Sequence, residues 1–176
     1  MRYPAGTIHA CGAGERGRRL PPMKYEDMFH VGIIVPDLES GLKEIANRFG
    51  VTFPDPPPTS GADVLVKTAA GEKRAEVIGV YSAEGPPYLE VIRAVPGTPW
   101  EAGEGSRIHH LGAFVDDLDD EVARLISEGV ELEATLDVGG GMMAVSYMNG
   151  PLGIRQELLP GHLREGMLAN LRGEGG

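Results

Sequence analysis

The sequence contains FHVGIIVPDLESGLKEIANRFGV at residues 29–51 and a second version of the same pattern, HHLGAFVDDLDDEVARLISEGV, at residues 109–130. In register, the two stretches share five identical residues within nine positions. The identical pairs are His30 and His110, Gly32 and Gly112, Val35 and Val115, Asp37 and Asp117, and Leu38 and Leu118. An internal repeat of this kind predicts that one structural module occurs twice in the chain.

Each copy predicts a strand followed by a helix. Residues 29–35 and 108–115 are short apolar runs rich in β-branched side chains, which is typical of buried strands. Asp37 and Asp117 stand where a helix N-cap is expected, and apolar residues recur behind both at helical spacing. A glycine follows each helical pattern and predicts its C-terminal end.

The remainder of each copy predicts three further strands. They are expected near residues 62–68, 75–82 and 87–95 in the first copy, and near 131–138, 142–149 and 154–159 in the second. The predicted fold is therefore α+β, with two tandem βαβββ modules that form a curved, cup-like mixed β-sheet with flanking helices.

The repeat also sets the expected boundaries along the chain. One domain is predicted at residues 23–160, with module one at 28–100 and module two at 106–160. We expect residues 1–22 to be a flexible N-terminal arm, because they show no periodicity, and residues 161–176 to be a C-terminal tail.

Composition and charge exclude several classes of function. The formal net charge is -10, and no stripe of basic residues compensates for it, so nucleic acid is not an expected partner. No apolar run is long enough to cross a membrane, and no secretory signal is visible. Cys11 is the single cysteine, which excludes an internal disulfide and fits a reducing, cytoplasmic location.

Both copies carry a histidine early and a glutamate late, on strands. His30 and His110 lie on the first strands of the two modules, while Glu90 and Glu157 lie on the last. Since side chains alternate between the faces of a strand, two related modules can direct all four into one cavity. Two imidazoles and two carboxylates suit one divalent ion: Ni²⁺, Co²⁺, Zn²⁺, Mn²⁺ or Fe²⁺. Alternation predicts that His109 points to the opposite face and is not a ligand.

At this point the sequence resembles the vicinal oxygen chelate superfamily, which includes glyoxalase I, methylmalonyl-CoA epimerase, extradiol dioxygenases, and the bleomycin and fosfomycin resistance proteins. The resemblance covers roughly residues 28–160 and rests on HVGIIVPDLE (30–39), YLEVI (88–92), HHLGAFVDDL (109–118) and GIRQELL (153–159). By position, the four metal ligands of the family fall on His30, Glu90, His110 and Glu157. Glutamate at position 90 is similar to the glyoxalase I set, whereas methylmalonyl-CoA epimerases more often have an amide there.

The resemblance implies an enzyme in which the ion stabilises the anion left by removal of a proton next to a carbonyl. Glu157 is the first candidate for a ligand that also moves the proton, and Glu90 is the second. Arg155 is expected either to bind a substrate carboxylate or to pair with an acidic neighbour. Tyr88 and Phe114 are candidates for the substrate-binding wall, although apolar residues there also fit a plain core.

Other interpretations remain open from the sequence. An extradiol dioxygenase is one alternative, although it normally uses three ligands. A metal-free protein that binds an antibiotic or another small molecule is a second, although such members commonly lack the metal residues. The glycine-rich segment 139–143 is expected to be a hairpin turn or a mobile lid. A small-molecule substrate and a homodimer are the expected partners.

Overall fold

The structure is a computed structural model that describes residues 24–103, 105, 107–138 and 144–174. The expected arm at residues 1–22 and the segment 139–143 lie outside the described residues. The strands are β1 (Met28–Val35), β2 (Ala62–Thr68), β3 (Gly71–Val77), β4 (Gly79–Tyr81), β5 (Tyr88–Arg93), β6 (Arg107–Val115), β7 (Glu131–Asp137), β8 (Ala144–Asn149) and β9 (Arg155–Pro160). The helices are α1 (Leu38–Phe49), α2 (Leu118–Ser127) and α3 (Arg164–Leu171).

All of these strands belong to one mixed sheet, in the order β3-β2-β7-β8-β9-β6-β1-β5-β4. The two end strands, β3 and β4, are separated in sequence only by Ile78. The chain therefore brings the two ends of the sheet together, and the sheet curls into a half-barrel. The predicted α+β fold with a cup-like sheet is confirmed.

One predicted strand is wrong. A single strand was expected near residues 75–82, but the chain forms β3 and β4, which pair with different neighbours. β3 pairs with β2, which in turn joins the second module through β7, whereas β4 pairs with β5. Apolar periodicity does not reveal such a break because Ile78 is as buried as a strand residue, at 2% exposure.

The two repeat helices begin as the sequence predicts. The Asp37 carboxylate accepts a hydrogen bond from the Ser40 amide at the start of α1, and the Asp117 carboxylate accepts one from the Asp120 amide at the start of α2. Gly50 ends α1 in the left-handed conformation, with φ of 67°. Both aspartates therefore fix the first turn of their helices.

The sheet has an outer face that carries α1 and α2, and an inner face. Leu42 and Ile45 of α1 pack on Val35 and Val91, which points these strand residues outward. The residue next to Val91, Glu90, therefore points inward, because neighbouring side chains on a strand alternate between faces. The same argument turns the other candidate residues toward the inner face.

Two apolar clusters occupy the inner face. We call the first the Trp100 cluster; it consists of Ile34, Val64, Val66, Ile92, Trp100, Ala134, Leu136, Val145 and Tyr147. The second, the Phe114 cluster, consists of Phe29, Tyr88, Phe114 and Leu159. Helix α3, which lies within the expected C-terminal tail, covers the Phe114 cluster with Met167, Leu168 and Leu171. None of the helices among the described residues has the length and apolar character needed to cross a membrane.

Candidate metal centre

Two rows of directly paired residues cross the middle of the sheet. The first row is Tyr81 on β4, Glu90 on β5, Gly32 on β1 and His110 on β6. The second row is Tyr147 on β8, Glu157 on β9, Gly112 on β6 and His30 on β1. Each row takes its tyrosine, glutamate and glycine from one module and its histidine from the other. The repeat therefore produces the same arrangement twice, in opposite directions.

The glycine of each row makes room for the imidazole of its neighbour. A Cβ atom on Gly32 would lie 2.1 Å from Cε1 of His110, and one on Gly112 would lie 2.0 Å from Cε1 of His30. Each ring therefore lies over the glycine and reaches the glutamate on its far side. The His-x-Gly pattern shared by the two repeats is explained by this close approach.

The four residues predicted from the sequence as metal ligands come together, and we call them the His/Glu group. One donor atom from each lies within 4.8 Å of the others. The two imidazole Nε2 atoms are 2.8 Å apart. Nε2 of His30 is 2.9 Å from Glu157 and 3.3 Å from Glu90, and Nε2 of His110 is 3.3 Å from Glu90 and 3.5 Å from Glu157. Both histidines are almost completely buried.

The geometry and chemistry of the His/Glu group fit a divalent ion. Bonds from nitrogen or oxygen to such an ion are about 2.0 to 2.2 Å long, so adjacent ligand atoms lie about 3.0 to 3.4 Å apart. The separations of 2.8 to 3.5 Å between an imidazole Nε2 and the other donor atoms agree with this spacing. Glu90 also holds a buried carboxylate oxygen that lacks a hydrogen-bond partner among the described residues. A bound cation would satisfy this atom.

The electrostatic potential inside the group favours positive charge. Burial disfavours the charged form of His30, but the carboxylates of Glu157 and Glu90, 2.9 and 3.3 Å from its Nε2, outweigh this effect and raise the pKa of the imidazole to about 10. Burial favours the neutral form of Glu90, yet the imidazoles of His110 and His30, each 3.3 Å away, hold the pKa of its carboxyl well below the usual range. A site that stabilises a proton on His30 so strongly also attracts a metal cation.

The tyrosines of the two rows were not identified from the sequence. Burial and the neighbouring Glu90 raise the pKa of Tyr81 well above its usual value, and burial and Glu157 do the same for Tyr147. Both phenols therefore stay protonated, and each tyrosine is paired directly with the glutamate of its own row in the sheet. The signal in the sequence was a tyrosine shortly before the glutamate in both modules, with slightly different spacing.

His109 does not point away from the site, which corrects the expectation from alternation. Gly32 pairs with His110, but the next residue of β1, Ile33, pairs with Ile108, so His109 is the extra residue of a β-bulge. The bulge turns its ring beside His110, with 2.8 Å between the two Nδ1 atoms. His109 is not part of the His/Glu group. Burial and the nearby Arg155 lower the pKa of His109 to about 3.

The remaining candidates lie around the group in different settings. Arg155 binds Glu133, with 2.7 Å between Nε and the carboxylate, and its guanidinium lies 5.9 Å from the centre of the Tyr147 ring. Tyr88 and Phe114 are buried in the Phe114 cluster, where they pack on Phe29 beside His30. Arg155 thus has the acidic partner that the sequence left open as one of its two expected roles.

Comparison with known proteins places these features in a family. The family described as the Glyoxalase/Bleomycin resistance protein/Dioxygenase superfamily matches residues 29–147, which is more than half of the chain. The chain belongs to this superfamily. The family resemblance inferred from the sequence is thereby confirmed. By its description, the superfamily includes both enzymes and resistance proteins. Membership alone therefore does not identify a reaction.

Several solved structures are similar to the chain at low sequence identity. A hypothetical protein of Bacillus halodurans C-125 has a TM-score of 0.51 and 14% identity, over 76% of this chain and 92% of that one. A methylmalonyl-CoA epimerase of Mycobacterium tuberculosis has a TM-score of 0.49 and 20% identity, over 76% and 87%. One from Streptomyces coelicolor, in complex with 2-nitronate-propionyl-CoA, has a TM-score of 0.49 and 16% identity, over 76% and 96%. None of the curated proteins compared with the chain matches it.

Proposed function

We propose that this protein is a divalent-metal-dependent enzyme that removes a proton from a small molecule with two neighbouring oxygens, as an isomerase, an epimerase or a lyase. The convergence of the His/Glu group, with donor atoms within 4.8 Å of one another, carries the proposal. The four side chains would hold nickel, cobalt, zinc, manganese or iron. Such an ion disperses the negative charge that develops when a proton leaves the carbon next to a carbonyl.

Glu157 is the proposed residue that takes and returns the proton. Its carboxylate is 7% exposed and lies beside His30, so it is shielded from water but near the centre of the group. Tyr147 is paired directly with Glu157 in the sheet, and its buried ring lies against His110. Glu90, which has the same place in the other row, is the second candidate. Two carboxylates in related positions suit a reaction that exchanges a proton at one carbon.

Substrate binding is assigned to Arg155, Tyr88 and Phe114. Glu133 holds the guanidinium of Arg155 against the Tyr147 ring, on the strand that carries Glu157. From this position Arg155 would bind an acidic group of the substrate in exchange for, or together with, Glu133. Tyr88 and Phe114 would supply an apolar wall beside His30.

The first experiment is elemental analysis of the purified protein and of the His110→Ala and Glu157→Ala variants. We expect about one transition metal ion per chain in the wild type and its loss in both variants, because each variant removes one of only four ligands. Absence of metal in the wild type, and no uptake when the five candidate ions are added, would refute the metal-dependent function.

The second experiment tests the reaction. The metal-loaded protein is incubated in D₂O with α-oxo thioesters, hemithioacetals and epimerisable acids, and proton NMR follows deuterium incorporation next to the carbonyl. We expect exchange with one of these classes, and its loss in Glu157→Gln, which keeps the shape of the side chain but not its basicity. Binding of such a compound without exchange would favour the alternative of a small-molecule binding protein.

A further inference from the structure

The two modules have different aromatic residues immediately before the histidine that each contributes to the His/Glu group. Phe29 and His109 occupy equivalent positions in the repeat, and each is the extra residue of a β-bulge between β1 and β6. Each ring packs edge-on against the histidine that follows it, with centroids 5.1 Å apart in both cases. The first module thus places a hydrocarbon ring against His30, and the second places an imidazole against His110.

Among the described residues, only the second module provides a hydrogen bond to the ring nitrogen of its histidine that faces away from the centre. Nδ1 of His30 is buried and lacks a hydrogen-bond partner among the described residues. Nδ1 of His110 lies 2.8 Å from Nδ1 of His109. The other nitrogen of His109, Nε2, lies 2.7 Å from the backbone carbonyl oxygen of Pro99, in the loop that joins β5 to β6.

The partners of these nitrogens determine where each proton lies. A carbonyl oxygen can only accept a hydrogen bond, so Nε2 of His109 carries a proton and donates it to Pro99. A metal-binding imidazole keeps the lone pair on the nitrogen that faces the ion, which for His110 is Nε2, and carries its proton on Nδ1. The Nδ1–H group of His110 therefore donates a hydrogen bond to Nδ1 of His109. In this series of hydrogen bonds from Pro99 to the His/Glu group, each imidazole nitrogen either carries a proton or offers a lone pair.

We propose that His109 is a positioning residue that fixes the tautomer and ring orientation of His110 for metal binding. The inference rests on the metal site proposed above and adds a role for a residue outside it. His109 is 5% exposed, and the loop carbonyl holds it from behind, so it is a rigid support. Groups that accept the second N–H of a metal-binding histidine raise its basicity, and their removal lowers metal affinity about tenfold to a hundredfold.

Three variants separate hydrogen bonding from packing. His109→Phe introduces the residue that the first module has in this position, so it keeps an aromatic ring but removes both hydrogen bonds. His109→Asn places an amide oxygen near the position of Nδ1 and keeps an acceptor for His110. His109→Gln extends further toward Pro99 and loses the acceptor near Nδ1. Zinc affinity is measured by competition with a chromogenic chelator, and ¹⁵N NMR of the imidazoles identifies the tautomer in the metal-free and zinc-loaded proteins.

In the wild type we expect the Nδ1–H tautomer of His110 with and without zinc. Zinc affinity should fall about tenfold to a hundredfold in His109→Phe and His109→Gln, and the Nδ1–H tautomer of His110 should no longer dominate in their metal-free forms. In His109→Asn both properties should stay close to the wild type. Urea unfolding of each metal-free variant shows whether it is folded, and the Asn and Gln variants decide the question if His109→Phe does not fold.

The proposal is overturned if His109→Gln keeps the wild-type tautomer and zinc affinity, or if His109→Asn loses both while remaining folded. A wild-type protein that binds none of the five candidate ions would refute the proposed function instead. The tautomer of His110 in the metal-free variants would still test the role of His109 in that case.

Discussion

Replacing Gly112 by alanine should remove His30 from the His/Glu group. The new Cβ would lie 2.0 Å from Cε1 of the His30 ring, whereas non-bonded carbon atoms need about 3.5 to 4.0 Å, so the ring must retreat by about 1.5 to 2 Å. The ring has little room to do so, because it is completely buried and packs edge-on against Phe29 and Tyr81. A ligand bond of about 2.1 Å does not survive a displacement of this size.

The expected loss of metal affinity is at least about a hundredfold, or about 2.7 kcal/mol, because loss of a direct ligand should exceed the largest effect of losing a group behind one. Overpacking should also destabilise the metal-free protein by about 1 to 3 kcal/mol. Metal affinity is measured by chelator competition, and stability by urea unfolding in the absence of metal. Gly32→Ala, which meets His110 in the other row, should behave in the same way.

Gly166→Ala is the matched control. A Cβ atom on Gly166 meets nothing within 4 Å, and the residue is exposed within α3. Alanine should stabilise this helix by about 0.5 to 1 kcal/mol and leave metal affinity unchanged. If Gly112→Ala binds metal as tightly as the wild type and unfolds at the same urea concentration, the close approach of the imidazole to the glycine does not constrain the site, and the explanation of the His-x-Gly repeat is wrong.

Three further predictions concern the surroundings of the site and the stability of the fold. Tyr147→Phe removes the oxygen that accepts the buried Trp100 indole N–H at 3.0 Å, and we expect a loss of about 1 to 3 kcal/mol in urea unfolding; no loss would mean that the indole finds another acceptor. Hydrogen bonds from the Ser40 hydroxyl and amide lower the pKa of Asp37, so this cap stabilises the fold above the unfolded pKa near 3.8, and its contribution is lost as the pH falls through the lower folded value. The destabilisation caused by Asp37→Ala should therefore shrink on acidification, and an effect that is constant with pH would contradict this. Deleting residues 164–176 removes α3 from the Phe114 cluster, so the truncated protein should bind a hydrophobic fluorescent dye more strongly than the full chain, and equal binding would count against a covering role.

Features encoded by local periodicity were predictable from the sequence. The strands β1 and β6, both aspartate caps and the convergence of the two histidines with the two glutamates follow from a repeat whose copies fold alike. Strand alternation then places like residues of both copies on one face of the sheet. The same rule failed at His109, because a β-bulge inserts one residue and reverses the direction of its side chain.

Features that depend on pairing between distant segments were not predictable in this way. Tyr81 and Tyr147 gain their roles from direct pairing with the glutamate of the next strand, which depends on the register of two hairpins. The division of the predicted strand into β3 and β4 depends on their pairing with two different strands, β2 and β5, at opposite ends of the sheet. The apolar periodicity of a segment does not determine its pairing register or the strand with which it pairs.

The symmetry of the centre and the asymmetry of its surroundings have different origins. Both rows of the centre come from elements that the two modules share, so they supply like ligands. The apolar clusters beside the centre also include elements without a counterpart in the repeat: Trp100 from the loop between β5 and β6 in one cluster, and α3 from the C-terminal segment in the other. A substrate with two unlike ends needs unlike walls around a central ion. Substitutions that change the preferred substrate should therefore concentrate in these segments and at the proposed substrate-binding residues Arg155, Tyr88 and Phe114, while the repeated rows tolerate little change because each glycine and histidine is fitted to its partner.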